Sequence, residues 1–264
     1  MNVNVHVDGQ KSDSDEPKVD FYSASVLTGD ATKEDLATIR RHTSVYVYET
    51  PVRLWHWLNA LAILTLCVTG WFIGNPPPSM QIGEATDQFV FGYIRFFHFA
   101  AAMVMTVGFF ARIYWAFVGN HHSKQLFYLP IFNAAWWKEV LFELRWYLFL
   151  EKEPKKYVGH NPLAQIAMFF FMTLGMTFMI VTGFALYAEG LGADHWLSVL
   201  TGPVMALVGN SQMMHSLHHL GMWSIVIFMM IHIYAAIRED IMSRQSMVST
   251  MISGHRTFKD DRPE

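Results

Sequence analysis

Four histidines stand in apolar surroundings, and their spacing limits what chemistry they can do. Two of them, His218 and His232, lie in the run HSLHHLGMWSIVIFMMIH from His215 to His232. With a helical rise of about 1.5 Å per residue, the fourteen-residue step between them covers roughly 21 Å. At about 100° per residue it also returns to within about 40° of its starting direction. The two imidazoles therefore share a face at two depths. His219 is thirteen residues from His232 and points nearly the opposite way, so His218 is the geometric partner, with His219 as the alternative if the helix bends. An imidazole in an apolar medium needs a partner, and the functional ones open to it are a metal or a proton path. The other two are His56, in Arg53-Leu-Trp-His56-Trp-Leu, and His98, in an apolar run that also carries Arg95 and Arg112.

The elements that must carry these side chains follow from composition. Of 264 residues, 52% are hydrophobic and only 16% charged, too apolar for an ordinary soluble domain. Runs long enough to cross a hydrocarbon layer of about 30 Å occur at Leu54 to Gly74, Phe96 to Val118, Leu163 to Ala188 and Leu217 to Ile237. The expected fold is an all-α membrane protein with a bundle of four transmembrane helices. Residues 1–44 read as a polar, flexible extension with a short helix at Thr32 to Arg41, where Thr32 and Asp35 form a capping box. Residues 45–238 form the bundle and 239–264 a tail. No secretory signal precedes the first span, which is expected to act as its own insertion signal.

Between spans two and three, Asn133 to Leu150 is aromatic-rich and carries Lys138, Glu139, Glu143 and Arg145. Four charges make it a poor span and a good in-plane amphipathic helix. Span three has no histidine and no charge, and its Gly175 and Gly183 predict close helix packing. Cys67 is the only cysteine, which excludes intrachain disulfides, iron–sulfur clusters held by this chain alone and covalent CxxCH haem attachment.

Seventeen of the nineteen Lys and Arg residues lie before span one, between spans two and three, or after span four; connections 75–94 and 189–212 contain none. The positive-inside rule then places both termini and the middle loop in the cytoplasm, and the expected location is the bacterial inner membrane. Chain direction alternates from span to span, so depth can be worked out. His56 and His232 fall on the cytoplasmic side, His98 and His218 on the outer side. Two bis-histidine layers result, each suited to one noncovalent haem b whose closed iron carries electrons. Arg53, Arg95 and Arg112 are candidates to meet haem propionates, against the ordinary alternative of snorkelling to lipid phosphates. Gly221, near His218, is expected to leave space for a flat macrocycle. His6, His42, His121, His122, His160, His195 and His255 read as solvated, and His215 and His219 as neighbours of the site.

Arg53-Leu-Trp-His56-Trp-Leu58, continuing through Leu61-Ala62-Ile63 and Leu66 to Thr69-Gly70, together with His215-Ser-Leu-His218-His219-Leu, Trp223, Phe228 and His232, resembles the b-type cytochrome subunit of membrane-bound NiFe hydrogenases. The resemblance spans about Ser44 to Arg238. It implies a dihaem cytochrome ligated by His56, His98, His218 and His232. It also implies electron transfer from the iron–sulfur small subunit of a periplasmic hydrogenase to quinone, with the small subunit's anchor helix, and through that subunit the large one, as partners. Lipid is the surrounding medium, and no nucleic-acid partner is expected. The rivals are a formate dehydrogenase gamma subunit, a membrane anchor with structural haems, and a transporter using histidines as proton relays.

Overall fold

The computed structural model describes residues 21–22, 44–80, 84 and 89–258; the expected helix at Thr32 to Arg41 lies outside them. In chain order come β1 (Phe21–Tyr22), β2 (Ser44–Tyr46), α1 (Thr50–Gly74), α2 (Val90–Val118), α3 (Ala134–Tyr147) and β3 (Lys156–Tyr157). There follow α4 (Pro162–Met168), a π-helical stretch at Phe169–Gly175, α5 (Met176–Glu189), α6 (Trp196–Val208), α7 (Ser211–Met242), α8 (Met247–Ser253) and β4 (His255–Thr257).

Four helical units are long and apolar enough to cross a membrane: α1, α2, Pro162–Glu189 and α7. Each begins before its apolar run, and at the last two an asparagine supplies the cap. Asn210 accepts from Met213 N at 2.8 Å to start α7, and Asn161 accepts from Ala164 N at 2.7 Å to start α4. Both satisfy donors that the first turn would leave unpaired. Pro162 and Pro51 sit in first turns, where a missing N–H costs nothing. Large apolar side chains face outward, with Val107 70%, Phe117 84% and Met230 67% exposed. In water such a surface would drive aggregation; against lipid tails it is the expected solvated face.

The apolar core lies at middle depth, where Ala62, Ile63, Met105, Phe109, Ile225 and Phe228 pack together. It occupies the level between His218 and His232. At the end where α1 begins and α7 ends, the described part of the tail folds back onto the bundle. β4 pairs antiparallel with β2, and Val45, Val47, Tyr48, Val52, Val158 and Phe258 form a second small core. Glu49, just before α1, accepts from Trp115 Nε1 and Asn120 N, both at 2.9 Å, and so ties the start of α1 to the end of α2.

Three features depart from the sequence expectation. The connection after span three is not bare loop but contains α6, a short apolar helix that runs on through Pro203. Span three holds a π turn, in which Thr173 Oγ1 donates to Leu126 O at 2.8 Å. Gly221, expected to face a macrocycle, meets α5, since a Cβ there would lie 2.5 Å from Met179 Sδ and 2.9 Å from Phe178. Its lack of a side chain lets α7 press against α5 instead.

The amphipathic helix between spans two and three is α3, capped by Asn133, which accepts from Ala135 N at 2.9 Å. Its buried Glu143 is pushed up to about 8, by burial first and by the neighbouring Glu239 charge second. The folded chain keeps this proton until pH reaches about 8, whereas an unfolded carboxyl releases it from about 4.5. Stability therefore falls as pH rises through that window. In detergent melts Glu143→Gln is expected to raise the midpoint at pH 8 and to leave it unchanged at pH 4.5. An equal gap at both pH values would assign the effect to packing.

Candidate functional site

The histidines gather in two layers near opposite ends of the bundle. At the end where α1 begins and α7 ends, His56 stands two turns into α1 and His232 ten residues before the end of α7. Their ring centres are 6.3 Å apart, with planes at 53°. A metal bridging two imidazoles through bonds of about 2.0–2.1 Å, with about 1.1 Å from each nitrogen to its ring centre, spaces the centres by about 6 Å. The observed spacing is close to that value. Phe228 stacks on His232 at 5.6 Å and 22°, fixing the ring from the core side. His56 Nδ1 is buried without a hydrogen-bond partner.

At the far end, His98 lies eight residues into α2 and His218 seven residues into α7. Thr69 Oγ1 is 2.9 Å from His98 Nδ1, and Thr182 Oγ1 is 2.8 Å from His218 Nδ1. Gly70 and Gly183 follow these threonines. A Cβ on Gly70 would meet His98 Cε1 at 3.2 Å and Met222 Sδ at 3.9 Å, and one on Gly183 would meet His218 Cε1 at 3.3 Å. Met222 is one turn beyond His218, so Gly70 lets the His98 ring approach that part of α7. Both rings keep Nε2 for a further ligand.

His219 turns to α1 instead. A Cβ on Gly74 would lie 3.2 Å from its ring, and Trp71 packs 6.2 Å away. Among the described residues no cluster of three or more His, Cys, Asp and Glu side chains could hold a bare ion. Paired imidazoles suit a macrocycle that brings its own four nitrogens, and on that donor set the site fits haem.

Of the three arginines, Arg112 is buried, with Trp55 and Phe127 rings 5.7 and 5.4 Å from its guanidinium carbon. One of its nitrogens donates to Ser123 O, while Nε and Nη1 are buried and unpartnered. Glu49 lies close enough to act on this charge, and the two buried nitrogens leave places for a further anionic acceptor. Arg53 is drawn to α8, donating to Ile252 O and to Thr50 Oγ1. Arg95 is exposed.

The reading of His122 and His160 as solvated is overturned. His122 is buried, bonded to Gln125 at 3.2 Å, and burial, followed by His121, pushes it well below its usual value. His160 lies against Tyr48 Oη at 3.3 Å and Gln125. Burial, then the Arg256 charge and His232, lower it to about 3. The folded tail does this. Arg256 is itself buried and donates to Tyr157 O and Gly159 O, both at 3.1 Å, closing the region around His160.

The model of a family described as prokaryotic cytochrome b561 matches residues 47–254. A probable Ni/Fe-hydrogenase B-type cytochrome subunit of Rhodobacter capsulatus is 71% identical over 245 residues, 93% of this chain and 94% of that one. One of the same description from Azotobacter vinelandii is 60% identical over 240 residues, 91% and 98% of the two chains. A probable Ni/Fe-hydrogenase 1 B-type cytochrome subunit of Escherichia coli strain K12 is 50% identical over 223 residues, 82% and 92%.

Proposed function

Since the chain belongs to the prokaryotic cytochrome b561 family, among the hydrogenase-associated b-type cytochrome subunits, we propose that it carries electrons from the iron–sulfur small subunit of a periplasm-facing NiFe hydrogenase to quinone. It also anchors that enzyme to the bacterial inner membrane. Two haems are held, one by His98 and His218 toward the hydrogenase, the other by His56 and His232 toward the cytoplasm. When bound, each would supply a one-electron couple, held by a pair of imidazoles.

The observation that carries the reading is the arrangement of the imidazoles, paired near opposite ends of one bundle, with the inner rings 6.3 Å apart. The rest of the chain serves that arrangement. Arg112, with two buried nitrogens left without a partner, would suit a propionate of the inner haem better than Arg53, which has Nε alone left and donates its other nitrogens to Ile252 and Thr50. The core around Ile225 and Phe228 excludes water between the layers. Absence of Lys and Arg from 75–94 and 189–212 supports an outward far end and cytoplasmic termini. Quinone is placed near the inner layer, and residues 45–238 make up the cytochrome domain.

A reduced-minus-oxidised spectrum with a haem-to-protein ratio tests this directly. Two haems per chain, reduced by hydrogen in the isolated complex and reoxidised on adding quinone, are expected. One haem per chain, or reduced haem that quinone leaves untouched, would defeat the proposal.

A further inference from the structure

We propose that Thr69 and Thr182 are positioning residues for the outer haem: they fix the tautomer and orientation of His98 and His218, and hold that haem's potential below that of the inner one. This rests on the ligand assignment proposed above.

A threonine hydroxyl has one proton to donate and two lone pairs to offer. Thr69 Oγ1 donates its proton to Thr65 O at 2.6 Å, and Thr182 Oγ1 to Phe178 O at 2.8 Å. Each can then only accept from the imidazole beside it. His98 and His218 must therefore both carry their ring proton on Nδ1, which leaves the Nε2 lone pair to an iron. Thr65, Thr106 and Thr177 satisfy themselves on the carbonyls of Leu61, Ala102 and Thr173. That is the ordinary behaviour of threonine in an apolar helix. Thr69 and Thr182 alone among these take on a histidine as well. Each is followed by a glycine over which the ring edge lies, so a Thr-Gly pair is used twice, once from α1 and once from α5.

The inner layer lacks this device at His56, whose Nδ1 is buried and unpartnered. Donation from Nδ1 raises the basicity of the coordinating nitrogen, and a more basic ligand favours oxidised iron. The two outer ligands are both strengthened in this way. An electron arriving at the outer layer thus finds the inner one lower in energy, and the membrane crossing is given a direction.

The test is a redox titration of the purified complex, read by optical and electron paramagnetic resonance spectra. Thr69→Val and Thr182→Val keep side-chain volume and remove the hydroxyl. Each is expected to move the outer haem's midpoint upward, alter its low-spin signal and weaken its retention by about 10- to 100-fold, with the inner haem unchanged. Thr69→Ser and Thr182→Ser should restore the original midpoint. Unmoved midpoints in both valine variants, or a shift confined to the inner haem, would overturn the proposal. His98→Ala and His218→Ala run in parallel: if both retain two haems, the ligand assignment itself fails, whereas loss of one haem there with silent valine variants rejects the threonines alone.

Discussion

His232→Ala yields a complex that still oxidises hydrogen with an artificial acceptor but no longer reduces quinone, and its spectrum shows one haem missing. The alanine removes one of two imidazoles set 6.3 Å apart, leaving His56 as a single ligand in a bundle with no substitute. His160, the nearest candidate, is occupied by Tyr48 and Gln125. The loss should exceed the roughly 10- to 100-fold in metal affinity typical of second partners. Under the proposed function hydrogen oxidation is spared, since it would take place in another subunit. The measurement is haem content together with both activities; two haems retained, or quinone reduction within twofold of the parent, would refute the assignment of His232.

His98→Ala should remove the other haem and cut the chain of carriers at its entrance. The remaining haem keeps its spectrum, since nothing in the inner layer touches α2 near His98, but hydrogen no longer reduces it rapidly. A stopped-flow record of haem reduction by hydrogen separates the variants. In His232→Ala the surviving haem reduces fast, and in His98→Ala it reduces slowly. The opposite pattern would reverse the layers.

The spans and the histidine layers were legible because each signal is local or follows from alternation. An apolar run of span length has few alternatives, and a histidine inside one has fewer. The depth of His98 and His218 followed from chain direction alone. What escaped depends on contacts between distant residues. No feature near Ser44 announces that Thr257 will pair alongside it, and without that pairing His160 reads as a loop residue. α6 was missed because Gly202-Pro203 breaks its helical pattern. Thr182 was passed over because span three has no nitrogen ligand; the repeated Thr-Gly of spans one and three was the available signal. Gly221 misled because a glycine beside a ligand accommodates a neighbouring helix as readily as a cofactor.

The antiparallel pairing of β2 with β4 sets a timetable for biogenesis. One strand leaves the ribosome ahead of every membrane helix and the other after all of them, so this latch cannot fasten until translation has reached the tail. Until then α1 and α7 are free to part at that end. Any group held between His56 and His232 would be enclosed by the clasp only once the last strand has been made.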